Sequence, residues 1–265
     1  FFEASNGKLP KTMLQAIQLG DQLIHTVNEL LQTDLNELAV PLDSLKLLAP
    51  IPRPQKNRFC VGKNYAAHAI ELGSEEDIPK APIFFPKTPP TVIGPNEKIP
   101  RHKNVTDALD YEGELAVVIG KTGYAISEED AFDYVFGYTI INDVTARDLQ
   151  NRHIQYLLGK SLDGTCPMGP FIVHKSQIPD PHQLQIETKV NGEVRQKAST
   201  NQMIFNIPTL ISTLSQGMTL EAGDIIATGT PAGVGMGFQP PKYLHSADRI
   251  EITVEGIGTL INTIE

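Results

Sequence analysis

Tryptophan is absent from this chain, and with it most of the signals that assign a function cheaply. There are two cysteines, Cys60 and Cys166, far apart and in no CxxC pair. That spacing excludes a disulfide-stapled scaffold and a thiolate metal site. They read as buried reduced thiols, and a reducing cytoplasm is the expected compartment. No apolar run approaches the roughly 18 residues that span a bilayer. Basic residues are scarce, 22 against 31 acidic for a formal charge of -9, and Lys56-Asn57-Arg58 is too short a cluster to matter. Neither nucleic acid nor membrane is expected as a partner, because both need clustered cations. No GxSxG elbow is present. The glycines of TGTPAGVGMG (228–237) fit no nucleotide loop, and Phe238-Gln239-Pro240-Pro241 blocks the helix such a loop requires. The turn still offers backbone N–H groups to a carboxylate or an oxyanion. The first residue is Phe1, so the chain is expected to begin downstream of its natural start.

What is present describes a soluble, turn-rich protein of 265 residues, 40% hydrophobic, with 21 glycines and 20 prolines. Residues 12–32 carry apolar side chains at helical spacing, interrupted at Gly20. Pro50, Pro52 and Pro54 then stop any regular element. This divides a small, mostly helical N-terminal piece, 1–48, from a main domain, 49–265. The main domain reads mostly as strands: 114–120, 136–143, 224–229, 249–256 and 257–264, with a hairpin over 184–199 turning at Asn191-Gly192. Helices are expected at 64–73 (N-cap Asn64), 127–136 (N-cap Ser127) and 206–217. The fold class is α+β, β-rich and largely antiparallel, without βαβ regularity.

Asp110, Glu112 and Glu114 stand at alternate positions at the mouth of a strand, and so share one face. Like charges crowded together ask for a cation or for open water. Asp143 ends a second strand, and two neighbouring strands ending at one edge would unite the acids. Oxygen ligands without His or Cys suit Mg²⁺, Mn²⁺ or Ca²⁺. The plain alternative is a solvated strand edge, and Asp110 is the weakest member. His68 and Glu71, three apart, share a helix face, where a carboxylate can orient an imidazole as a base; a surface ion pair is the plain alternative. Glu75, Glu76 and Asp77 mark the following segment as solvated. Lys160, flanked by glycines, is either a surface charge or the holder of a substrate carboxylate.

The segments VGKNYAAHAIELG, DYEGELAVVIG, GYTIINDVTARDLQ, GKSLDGTCPMGP, VNGEVRQ, MIFNIPTLI and MTLEAGDIIATGTPAGVG, in this order, resemble the fumarylacetoacetate hydrolase superfamily over residues 45–265. The resemblance is greatest to its acylpyruvate hydrolases and oxaloacetate decarboxylases. It implies a mixed β-roll and a homodimer. It implies that Glu112, Glu114 and Asp143 hold one Mg²⁺ or Mn²⁺, and that His68, Glu71 and Lys160 are catalytic. Arg147, Gln150, Gly229 and Thr230 would face the substrate, a small 2-oxo acid. The connection from Gln150 to Lys160, residues 151–159, is shorter than in some acylpyruvases, which bears on substrate choice. The activity implied is metal-dependent C–C cleavage releasing pyruvate. With an acyl C4, water activated by His68 and Glu71 attacks; with a carboxylate at C4, CO₂ leaves without any nucleophile. An alternative is an isomerase or decarboxylase of an unsaturated oxo-diacid of the 2-hydroxyhepta-2,4-diene-1,7-dioate type, from aromatic breakdown. A scaffold with a vestigial site is the rival from another class; the intact acids, His68, Glu71 and Lys160 speak against it.

Overall fold

The run ELAVVI does not alternate apolar with polar, as a strand with one wet face would. In the computed structural model, which describes every residue except 1–4, 6, 8, 35, 37 and 38, it lies in a strand buried along its whole length. The described strands are β1 (Arg58–Gly62), β2 (Ile83–Lys87), β3 (Val92–Ile93), β4 (Lys98–Ile99), β5 (Leu109–Asp110), β6 (Gly113–Ile119) and β7 (Val135–Asn142). There follow β8 (Thr145–Ala146), β9 (Cys166–His174), β10 (Gln185–Val190), β11 (Glu193–Ser199), β12 (Ile225–Ala227), β13 (Arg249–Val254) and β14 (Gly258–Ile264). The α-helices are α1 (Met13–Gln18), α2 (Asp21–Leu30), α3 (Ala66–Glu71), α4 (Arg147–Arg152), α5 (Leu157–Lys160) and α6 (Ile207–Ser215).

Seven strands form one sheet in the order β2-β1-β12-β6-β7-β9-β3, and five form a second, β11-β10-β13-β14-β4. The pairing is mixed: β1–β12, β4–β14 and β3–β9 are parallel, and the others antiparallel. The faces of β6 separate two cores. Leu115, Val117 and Ile119 pack toward the five-stranded sheet, with Ile186, Ile252 and Val254. Ala116 and Val118 face the other way, among Cys60, Ile225, Ala227 and the N-terminal residues Leu9, Ala16, Ile17 and Leu23. The N-terminal helices therefore close the second face of the sheet. Both cysteines are buried and free. No described helix is long and apolar enough to cross a membrane.

Two expected helices differ from the reading. Over 127–136, Ser127 accepts the Asp130 N–H (3.1 Å) and donates to Asp130 Oδ2 (2.7 Å), but only a 3-10 turn, Ala131–Tyr134, follows. Val135 and Phe136 already belong to β7, whose pairing outweighs local helix preference. The helix at 64–73 shrinks to α3, with Tyr65 at its N-cap position. Asn64 caps nothing; its side chain donates to Phe205 O and Thr228 O and accepts from the Phe205 N–H. The split of α1 from α2 at Gly20 (φ +56°) and the Asn191-Gly192 hairpin turn follow the sequence reading.

Candidate active site and metal centre

β6 and β7 are antiparallel neighbours, with Gly113 opposite Asn142, so the start of one meets the end of the other. Alternation sends Glu112 and Glu114 to one side and Gly113 to the opposite side. A Cβ on Gly113 would collide with Thr188 Oγ1 and press on Ile252 of the second sheet, so glycine is what lets the two glutamates sit this close to that sheet. The Asp143 N–H donates to Glu112 O at 2.8 Å, locking the third acid against the first two. Glu112, Glu114 and Asp143 are all buried, and each offers a carboxylate oxygen within 4.8 Å of the others.

The charges around them are arranged unequally. Lys160 Nζ bridges Glu112 Oε2 (2.6 Å) and Asp143 Oδ2 (2.9 Å). Arg147 Nη1 reaches Glu112 Oε1 at 2.8 Å. Lys87 Nζ lies 2.8 Å from Asp143 Oδ1 as a charge contact without hydrogen-bond geometry, and donates to Val144 O. Burial pushes the Glu112 carboxyl up, but Lys160, Arg147 and His68 outweigh it and hold it down. For Glu114 burial wins and Asp143 and Glu112 add to it, so its carboxyl is pushed well above the usual range. Burial opposes the charge on Lys160, but Asp143 and Glu112 override it and raise its pKa. Three buried carboxylates that hold one member so far from its ordinary ionisation fit a hard divalent cation, which would relieve that repulsion. Glu112, Glu114 and Asp143 are the residues that would hold it.

His68 and Glu71 lie on α3, where Nδ1 meets Glu71 Oε1 at 2.7 Å. A carboxylate only accepts, so Nδ1 carries a proton, and whenever the ring is neutral its lone pair is the one on Nε2. His68 and Glu112 line the same cavity of about 180 Å³, together with Arg147, Gln150, Lys160 and Thr230. Gln150 Oε1 accepts from Arg147 Nη1 at 3.1 Å. Tyr156 and Asn151, from the short 151–159 connection, form part of the wall, with Phe85, Val61 and Leu72.

The glycine-rich turn spends its N–H groups on the protein's own acids. Gly229 donates to Glu114 Oε2 (2.9 Å), Gly233 to Glu71 Oε2 (2.8 Å), and Gly235 and Met236 to Asp110 (2.7 and 2.9 Å). Gly233 (φ +103°) also lies hard against Arg195 O, where no side chain fits. Asp110 thus leaves the acid cluster. It pairs with Arg147 Nε at 2.9 Å and anchors the turn, because β5 ends at Asp110 and the alternation does not run through to β6. Lys87 and Gln196, both fully buried beside the site, escaped the sequence reading: each sits in a strand-like stretch with no local mark of function.

A mixed β-roll with a buried acid triad that could hold a metal, one member of which shares a cavity with a carboxylate-oriented histidine, defines a class of enzyme. The chain belongs to the fumarylacetoacetate hydrolase family: residues 57–265 match the family's "Fumarylacetoacetate (FAA) hydrolase C-terminal" model. It is 57% identical over 262 residues to the oxaloacetate tautomerase YisK of Bacillus subtilis, covering 97% of this chain and 87% of that protein. A fumarylacetoacetate hydrolase from Exiguobacterium antarcticum superposes with a TM-score of 0.83 at 45% identity, covering 97% of this chain and 88% of its own. A fumarylpyruvate hydrolase from Pseudomonas aeruginosa, solved with Mn²⁺ and pyruvate, superposes at 0.72 and 33% identity, over 80% of this chain and 90% of its own. The chain is accordingly an enzyme of this superfamily, whose members include hydrolases and isomerases.

Proposed function

We propose that the protein is a divalent-metal-dependent enzyme acting on oxaloacetate or a similarly small 2-oxo acid. Its first task is to move a proton between C3 and the 2-oxo oxygen. The observation that carries this is that His68, its Nδ1 held by Glu71, lines one small cavity with Glu112, one of three buried acids whose oxygens lie within 4.8 Å of one another. The identity to an oxaloacetate tautomerase favours the same substrate. When bound, Mg²⁺ or Mn²⁺ supplies Lewis-acid stabilisation of the charge that develops on the 2-oxo oxygen.

The chain's own residues do the rest. In the enol-to-keto direction His68 Nε2 accepts the proton from the enol oxygen and returns it to C3, and Glu71 stabilises the imidazolium in between. Arg147, whose Nη2 is buried without a partner, and Gln150 hold the substrate carboxylate. Lys160 balances the charge of Glu112 and Asp143 and approaches the substrate from the same wall. Phe85, Leu72 and Tyr156 exclude water from one side of the cavity. A second reading, C–C cleavage with release of pyruvate, uses the same developing charge, and the Mn²⁺- and pyruvate-bound relative favours it.

The test is to follow enol-oxaloacetate by ultraviolet absorbance and pyruvate by a coupled assay, with Mn²⁺, with Mg²⁺ and with EDTA. We expect the ions to support accelerated enol loss and EDTA to abolish it. His68→Ala should lower the rate by about 100-fold or more and leave Mn²⁺ affinity unchanged. Pyruvate release at the enzyme's own rate decides for cleavage. Activity indifferent to EDTA, or no effect on any 2-oxo acid, overturns the proposal.

A further inference from the structure

Gln196 lies on β11, in the sheet opposite the acids, and its side chain is fully buried. Its carboxamide makes three hydrogen bonds, all into the site. Oε1 accepts from the Gly113 N–H, between the two glutamates, at 3.0 Å. Nε2 donates to Thr230 Oγ1 at 2.7 Å and to Pro231 O at 2.8 Å. The neighbours fix which end is oxygen, because the Gly113 N–H only donates and Pro231 O only accepts. Thr230 Oγ1 therefore receives an amide proton, and its own proton points to Gly113 O, 3.0 Å away. One lone pair remains on this hydroxyl, on a residue that lines the cavity. A β-bulge makes the reach possible. Gln196 pairs with Thr188 but Val194 pairs with Lys189, so Arg195 is the extra residue and its carbonyl turns against Gly233.

We infer that Gln196 is a positioning residue that fixes the Thr230 hydroxyl as a hydrogen-bond acceptor toward the cavity, so that the group it meets carries a proton. That group is an enol hydroxyl or a water, and not a carboxylate. The inference rests on the 2-oxo acid reading and specifies it: Thr230 recognises the tautomer, while Arg147 and Gln150 take the carboxylate.

The experiment is a double-mutant cycle with Gln196→Leu, Thr230→Val and the pair, measuring kcat and KM for enol-oxaloacetate, inhibition by oxalate and melting temperature. Thr230→Val should lower kcat about tenfold, the loss of one hydrogen bond in a dry site. Oxalate, a dianion at neutral pH with no proton to give, should inhibit it within about twofold of wild type. Gln196→Leu alone should lower kcat similarly and add nothing to Thr230→Val, because both remove one interaction. Thr230→Ser, which keeps the hydroxyl, should stay within about threefold of wild type. Should Gln196→Leu not fold, Gln196→Met, of similar length and also without a donor, completes the same cycle. Losses that multiply in the pair, or oxalate inhibition that weakens in step with kcat, overturn the inference while leaving the activity intact. A wild-type enzyme that turns over no 2-oxo acid defeats the functional reading itself.

Discussion

Asp110 is fully buried and accepts four hydrogen bonds, from the N–H groups of Tyr111, Gly235 and Met236 and from Arg147 Nε. Every neighbour is a donor, so an amide NH₂ in its place would face donors and leave the guanidinium short of a counter-ion. Asp110→Asn should destabilise the protein by about 3 kcal/mol, the scale for breaking a buried pair, measured by urea denaturation. A loss under about 0.5 kcal/mol would contradict this account. The sequence showed three acids at alternate positions and could not show that the extended run breaks between β5 and β6. Glu112 and Glu114 were legible because strand alternation and a glycine between them are local facts. Asp143 was legible only as the end of another strand. Lys87 and Gln196 were not, since their meaning arises from contacts across 57 residues to Val144 and 83 residues to Gly113.

α6 begins at Ile207, behind Asn206, whose side chain accepts the Thr209 N–H at 2.9 Å, as the N-cap reading of such residues expects. Its first N–H, that of Ile207, goes instead to His182 Nε2 at 3.1 Å, and this bond requires the neutral ring. Burial lowers the His182 pKa from its ordinary value, against a weaker upward pull from Asp180. The folded state therefore binds fewer protons than the unfolded state over that interval. Stability is complete above about pH 6.5, the unfolded value, and is lost as pH falls through the folded one. Denaturation midpoints at pH 7.5 and 5.0 should show this fall, and His182→Gln should reduce it; an unchanged fall would place the titration elsewhere. The misread helix at 127–136 has the complementary cause. Its capping signal at Ser127 is real and local, but Val135 and Phe136 are claimed by an interior strand of the sheet, whose neighbours no window of ten residues can see.

At the scale of the molecule, the N-terminal helices are part of a core shared with the sheet that carries the acids. Ile17 is fully buried there beside Ala116 and Val118, the residues of β6 that face away from the five-stranded sheet. Ile17→Ala should cost about 3 kcal/mol and lower the melting temperature by about 6–12 °C. Mn²⁺ affinity should not change, because the acids lie at the other end of that face of β6; a parallel loss of metal binding would show that the two ends of the face are coupled. The β-rich class and the sheet strands were readable from apolar runs and turn residues, whereas the order of strands was not, since β1 lies beside β12 across most of the chain. The inward commitment of the glycine-rich turn has a consequence for redesign. Its amides are tied to acids from α3, β5 and β6, so altering that segment disturbs three anchors together. Lys160, which bridges two of the triad acids, lies over the Phe85 ring at 4.8 Å, whereas the side chains of Val61, Leu72 and Tyr156 make no hydrogen bond to the triad, and retargeting the catalyst to a bulkier molecule is best begun by trimming those three walls.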